Sequence, residues 1–111
     1  MVSALVTGFE PFGRWSVNSS GEAARLLAER RGDVAVRVLP VDHDAAPAAL
    51  AAALAETRPG ALLMTGLADG TRPRLELRAR RPDHLAEGPA ERRGLWPWAR
   101  ARDALRAAGT A

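Results

Sequence analysis

The sequence contains no cysteine, so the chain can form no disulfide and offers no thiol nucleophile. Small secreted domains often depend on a disulfide framework, and nothing of that kind is available here. The absence fits a reducing compartment, and we expect a cytoplasmic protein.

Long apolar runs are missing as well. No segment approaches the length of about 20 residues that spans a bilayer. The amino-terminal residues 1–20 do not show the basic-then-apolar order of a signal peptide. We therefore expect no membrane partner. Lysine is also absent, since all 16 basic residues are arginine, and together with the abundance of alanine we attribute this to GC-rich coding rather than to function.

The remaining composition is that of a globular protein. Of the 111 residues, 47% are hydrophobic, which supports one domain with a modest core. Much of this fraction is alanine, which buries little area per residue. We expect a single α/β domain over residues 1–111, with an irregular loop and a terminal helix in residues 81–111.

Strand-like and helix-like segments alternate along the chain. Four strands are predicted: an apolar run that begins at Val2 and breaks at Gly8, then residues 34–39, 61–65 and 74–79. Three helices are predicted: from an N-cap at Ser19 to Gly32, from a cap at Asp44 or Ala46 to Thr57, and from Pro97 to Gly109. Residues 80–95 are predicted to be irregular.

Such alternation is typical of βαβ units with right-handed crossovers. The predicted fold class is therefore α/β, with a mostly parallel open sheet and helices on both faces. This three-layer α/β/α arrangement has few strands, so it looks incomplete. Uncovered edges and faces then predict marginal stability, aggregation or a homo-oligomer.

The turn after the first strand contains two aromatic residues, Phe9 and Phe12. In open α/β sheets, ligands bind in the loops at the carboxyl ends of the strands. The first and third strands are both followed by Gly-rich loops. Because parallel strands end at the same edge of a sheet, the two loops should share one edge. The pattern favours an apolar clamp for a small ligand, although both rings could equally pack to hold a turn.

The run Gly8-Phe9-Glu10-Pro11-Phe12-Gly13, followed by Val17-Asn18, resembles the amino-terminal signature of pyroglutamyl peptidase I, the pyrrolidone-carboxylate peptidases. Three further segments occur in the order in which that family has them: residues 37–41, 64–70 and 75–79. The resemblance covers residues 1–80 well and residues 81–111 poorly. Family members are considerably longer, so the chain resembles an amino-terminal half.

The resemblance implies an activity and a binding site. The family is a group of thiol proteases that remove an amino-terminal pyroglutamyl residue from peptides with a Cys-His-Glu triad. By resemblance, Phe9 and Phe12 hold the flat lactam ring and Asn18 orders the loop, although Asn18 could be simply a helix-start residue. The other residues assigned to substrate binding are Gly66 and Leu67.

Glu76 is the catalytic residue that the resemblance assigns. A carboxylate there would orient the imidazole, provided that one residue is missing from the turn at residues 71–74; without that gap the equivalent position is Leu77. The residues alone also allow an exposed strand glutamate paired with Arg74 or Arg78.

The rest of the triad is missing. The chain has no cysteine, and its two histidines, His43 and His84, precede or closely follow Glu76, whereas in the family Cys and then His come later. We therefore predict a truncated or degenerate family member that is inactive alone. The alternative is a non-catalytic module that binds a small lactam or amide in the Phe9/Phe12 crevice, or an anion on its arginine-rich carboxyl-terminal face.

Charge is unevenly distributed. Residues 72–111 contain ten arginines against five acidic residues, and residues 1–71 contain six against eight. A surface cluster explains this better than a nucleic-acid partner does, so we do not expect nucleic acid to bind. No dinucleotide fingerprint, Walker loop or serine-hydrolase turn is present, and we predict neither a cofactor nor a metal.

Overall fold

The structure is a computed structural model that describes residues 2–68, 74–76, 78–80, 91–94 and 98–107. The chain forms two compact units, Met1–Ala68 and Asp69–Ala111. The first contains β1 (Ala4–Phe9), α1 (Ser19–Arg30), β2 (Val34–Leu39), α2 (Ala45–Thr57) and β3 (Ala61–Met64). The second contains β4 (Arg78–Arg80), β5 (Glu91–Arg93) and α3 (Trp98–Ala107).

The sheet of the first unit has the order β2-β1-β3, and both pairings are parallel. The central strand β1 is the most buried, with Leu5 and Thr7 fully inaccessible to solvent. Leu39 of β2 is also buried, and each helix contributes a buried alanine, Ala24 in α1 and Ala53 in α2. The predicted mostly parallel open sheet is therefore confirmed.

The two helices of this unit cover opposite faces of the sheet. Gly8 in β1 approaches the backbone of α1. Arg37, which shares the opposite face with Thr7, forms a salt bridge of 3.2 Å with Glu56 in α2. The crossover from β1 to β2 and the crossover from β2 to β3 run in opposite directions, so two crossovers of one hand must place their helices on opposite faces. The predicted three-layer arrangement follows.

The prediction that the first strand breaks at Gly8 is wrong. Strand β1 runs through Gly8 and ends at Phe9, so Phe9 is a strand residue rather than a turn residue. A β-carbon at Gly8 would collide with the carbonyl of Ser20 and lie 2.7 Å from the nitrogen of Gly21. The glycine therefore provides space for the first turn of α1, and it does not end the strand.

The cap at the start of α2 also differs from the prediction. Asp44 occupies the N-cap position, but its side chain makes no capping hydrogen bond. The carboxylate of Asp42 instead accepts the N–H groups of Asp44 and Ala45, at 3.0 and 2.6 Å. Both backbone N–H groups lower the pKa of Asp42, and the N–H of Ala45 has the larger effect.

The second unit differs from the prediction for this part of the chain. Residues 74–76 are not a strand, and the strand that is present, β4, pairs antiparallel with β5 in a separate two-stranded sheet. Strand β5 lies inside the segment predicted to be irregular. Its residues, Glu91–Arg93, are all charged, and so they carry no apolar alternation that would predict a strand. Residues 81–90 and 95–97 lie outside the described part.

Within the part of the chain that the structure describes, no helix has both the length and the apolar character needed to cross a bilayer.

The contact at Gly8 leads to a stability prediction. Gly8→Ala places a methyl group against backbone atoms that cannot rotate away, and we expect it to lower the free energy of unfolding by about 3 kcal/mol. Gly32→Ala is the matched control, because a β-carbon there meets nothing within 4 Å. Urea denaturation of both variants measures the difference. Equal stability of the two variants would contradict the close approach.

A second prediction concerns acid. Both Nε and Nη2 of Arg31 donate to the carboxylate of Asp33, at 2.9 and 2.8 Å, and this pairing, with a further hydrogen bond from Ser3, lowers the pKa of Asp33 from 3.8 to about 2. The stabilisation is complete above the ordinary pKa and is lost as the pH falls toward 2.

We therefore expect Asp33→Asn to flatten the fall in unfolding free energy between pH 3.8 and about 2. Arg31→Gln removes the same pairing from the other side and should flatten it similarly. Urea melts at a series of acidic pH values provide the measurement, and an unchanged slope in both variants would show that this pair does not contribute.

Candidate functional site

The strand order places a topological switch point at β1. The chain moves from β1 to β2 on one side and then crosses to β3 on the other, so the strand order reverses at β1, and the loops after β1 and β3 leave the same edge of the sheet. Such a point opens a crevice at the carboxyl ends of the strands, where ligands bind in open α/β sheets. The loops concerned are residues 10–18 and 65–68.

Phe9 and Gly66 meet at this crevice. Phe9 is the last residue of β1, and the pairing register Thr7 to Met64, continued by two residues, sets Phe9 opposite Gly66. The Phe9 ring lies within about 4 Å of the place where a β-carbon of Gly66 would be. The two predicted loops therefore do share one edge, and a β-carbon at position 66 would be in ordinary van der Waals contact with the ring.

Thr65 holds the β3 loop against β1. Its N–H and its Oγ1 both donate to the carbonyl oxygen of Thr7, at 2.9 and 2.7 Å. These two hydrogen bonds to a fully buried residue fix the start of the segment that carries Gly66 and Leu67. The anchoring role of Thr65 was not predicted from the sequence, where the only signal is a hydroxyl residue directly after an apolar strand.

Asn18 is the centre of a buried hydrogen-bond network and is only 2% exposed. Its Oδ1 accepts the N–H of Ser20 at 3.0 Å and the hydroxyl of Ser20 at 2.6 Å. Its Nδ2 donates to the carbonyl oxygen of Glu10 at 3.1 Å. One amide thus joins the first turn of α1 to the loop that follows β1.

This network replaces the predicted cap. Asn18, and not Ser19, is the N-cap of α1, so the predicted N-cap at Ser19 is wrong. The hydroxyl of Ser20 also accepts the backbone N–H of Phe9 at 2.9 Å. The first turn of α1 therefore holds the beginning of the loop at two adjacent residues, Phe9 and Glu10.

Phe12 lies in the exposed part of the same loop. Its ring is 37% exposed, and the N–H of Trp15 donates to its carbonyl oxygen at 3.1 Å to close a turn. Gly13 in that turn has φ +59°, a left-handed value that favours glycine. Leu67, in the loop after β3, is half-buried.

Glu76 belongs to the second unit. Its carboxylate lies 3.5 Å from Nη2 of Arg74, and its side chain is 72% exposed. This contact matches the pairing with Arg74 that the sequence analysis gave as the alternative to a catalytic role. His43 is exposed in the loop after β2, and His84 lies outside the described residues. Among the described residues there is also no group of three or more side chains suited to a metal ion.

Fold and geometry together define an α/β protein with a parallel sheet, in which Phe9 and Gly66 lie side by side at the carboxyl ends of two neighbouring strands. The family model described as pyroglutamyl peptidase matches residues 2–78, which is most of the chain. The chain belongs to the pyroglutamyl peptidase family, and the resemblance drawn from residues 8–13 is confirmed.

Curated relatives agree with this membership. The pyrrolidone-carboxylate peptidase of Deinococcus radiodurans is 47% identical over 81 residues, covering 69% of this chain and 37% of that protein. The pyrrolidone-carboxylate peptidase of Gloeobacter violaceus is 42% identical over 97 residues, covering 78% of this chain and 47% of that protein. The chain thus matches between about a third and a half of the length of these relatives.

Solved structures are similar as well. The crystal structure of Bacillus amyloliquefaciens pyroglutamyl peptidase I has a TM-score of 0.84 and 25% identity, covering 99% of this chain and 63% of that one. The pyrrolidone carboxyl peptidase of Thermus thermophilus has a TM-score of 0.77 and 32% identity, covering 97% of this chain and 66% of that one.

The two functions of the Asn18 amide can be separated by substitution. Asn18→Ala removes the cap and leaves buried partners unpaired, so we expect a loss of about 2 kcal/mol in unfolding free energy. Asn18→Asp keeps an acceptor for Ser20 at a helix amino terminus, which favours a negative charge, but it cannot donate to Glu10.

We therefore expect Asn18→Asp to unfold at a denaturant concentration between those of the wild type and Asn18→Ala. Its loop amides, from Glu10 to Trp15, should nevertheless exchange with solvent faster than in the wild type. Denaturation and amide hydrogen exchange by NMR measure the two effects. Unaltered exchange in Asn18→Asp would mean that the Glu10 contact does not order the loop.

Proposed function

We propose that this chain binds the pyroglutamyl group of a peptide or small molecule in the crevice between the loops after β1 and β3, and that it does not hydrolyse it unaided. The observation that carries the proposal is the Phe9 ring against Gly66 at the carboxyl ends of β1 and β3. A flat, neutral lactam suits such a site, because aromatic faces pack well on a flat ring.

The two phenylalanines have different roles in this proposal. Phe9 is held by its backbone to Ser20 and forms the fixed wall of the site. Phe12 is more exposed and stands on a loop that Asn18 anchors only at Glu10. We assign Phe12 the closing side of the clamp and assign Asn18 the ordering of the loop, while Gly66 and Leu67 line the other side.

The backbone can supply polar recognition. A lactam has one N–H and one carbonyl, and both need partners when they are buried. Residues 65–68 follow β3 without regular secondary structure, so their backbone groups are not all committed to a ladder. We propose that the groups at Gly66 and Leu67 pair with the lactam amide.

The absence of turnover follows from the chemistry that is missing. Hydrolysis through an acyl-enzyme begins with attack by a thiolate, and the chain contains no cysteine. Loss of a nucleophile costs about a millionfold in kcat in a well-studied hydrolase. Glu76 is proposed as the carboxylate that orients an imidazole, and its exposed pairing with Arg74 is weak enough to exchange for another partner.

The test is direct binding measured by NMR titration of the full chain with pyroglutamyl amide, and with proline amide as the ligand control that lacks the lactam carbonyl. We expect shifts at the amides of Phe9, Phe12 and Gly66 with the lactam only. Phe12→Ala should weaken binding about tenfold, which is about 1.4 kcal/mol.

Leu26→Ala is the matched control variant, because Leu26 is an exposed apolar residue on α1, away from the strand ends. It should bind as the wild type does. Release of a fluorophore from a pyroglutamyl substrate should stay at the uncatalysed rate for all variants. Steady hydrolysis by the pure chain would refute the proposed lack of turnover, and polyanion binding without lactam binding would favour the anion-binding alternative.

A further inference from the structure

The carboxyl edge of the sheet in the first unit carries several exposed apolar side chains besides Phe12. Six large apolar side chains are prominently exposed among the described residues, and all but Leu26 lie in loops or at the strand end on this edge: Phe12, Trp15, Val17, Val41 and Met64. Exposed apolar clusters of this kind mark binding surfaces. Phe12 is used by the proposed lactam site, so the other side chains require an explanation.

Trp15 is joined to Phe12 by a single turn. The N–H of Trp15 donates to the carbonyl of Phe12, the second residue of the turn is Gly13 with positive φ, and Arg14 is not among the residues with positive φ. This is the pattern of a type II′ turn. A β-turn brings the Cα atoms of its first and last residues, here Phe12 and Trp15, within about 7 Å of each other.

The Trp15 ring is also held in place. The guanidinium of Arg14 lies 4.7 Å from the centroid of the Trp15 ring, a cation–π contact on one face. The ring is 38% exposed. An aromatic ring that is fixed on one face and open elsewhere offers contact area at a low cost in conformational entropy.

We propose that Trp15 forms a second subsite, which takes an apolar or aromatic side chain of the residue that follows the pyroglutamyl group. The inference rests on the proposed lactam site at Phe9 and Phe12. Consecutive Cα atoms of a peptide are about 3.8 Å apart, so the side chains of two adjacent ligand residues can reach two turn residues whose Cα atoms lie within about 7 Å of each other.

The test compares three ligands that share the lactam: the amides of pyroglutamyl-phenylalanine, pyroglutamyl-alanine and pyroglutamyl-lysine. NMR titration of the full chain gives a dissociation constant for each. We expect the wild type to bind the phenylalanine ligand about fivefold more tightly than the alanine ligand, and the lysine ligand no better than the alanine ligand.

Trp15→Ala should reduce the phenylalanine-to-alanine ratio to below about twofold, and Trp15→Phe should restore part of it. Leu26→Ala should leave the ratio as it is in the wild type. An unchanged ratio in Trp15→Ala, or no preference in the wild type, overturns the subsite while pyroglutamyl amide still binds. If pyroglutamyl amide itself fails to bind the wild type, the lactam site fails and the subsite fails with it.

Discussion

The first unit depends on one close approach of two backbones. Strand β1 and the first turn of α1 touch through Gly8 and Gly21, and a β-carbon on Gly21 would lie 2.7 Å from the carbonyl oxygen of Phe9. With both side chains reduced to hydrogen, the hydroxyl of Ser20 reaches the N–H of Phe9, and Asn18 reaches Glu10. The position of the loop after β1 therefore follows from the packing distance between a strand and a helix.

Much of the first unit could be predicted from the sequence, because its elements are local and apolar. Strand β2 and the end of α2 match the predicted bounds, and β3 differs from its prediction by one residue. Parallel pairing followed from alternation of strands and helices. Gly8 was misread because a glycine needed for a close tertiary contact has the same sequence signature as a glycine that ends a strand.

The site was less predictable, for related reasons. Phe9 and Gly66 could be placed at one edge from strand order alone, but Thr65 acts through a hydrogen bond to a residue 58 positions away. The choice of Asn18 over Ser19 as N-cap depends on the carbonyl of Glu10, which local cap preferences do not include. In the second unit, β5 consists of charged residues, and its pairing with β4 has no apolar pattern to indicate it.

The Asn18 amide has a consequence for evolution in this family member. Its acceptor atom completes a helix, while its donor nitrogen restrains a loop, so a single side chain serves helix stability and loop order together. Substitutions that retune the loop at this position must also disturb the helix cap. Sequence change in the loop after β1 is therefore easier at its exposed positions, whose replacement leaves the buried amide intact.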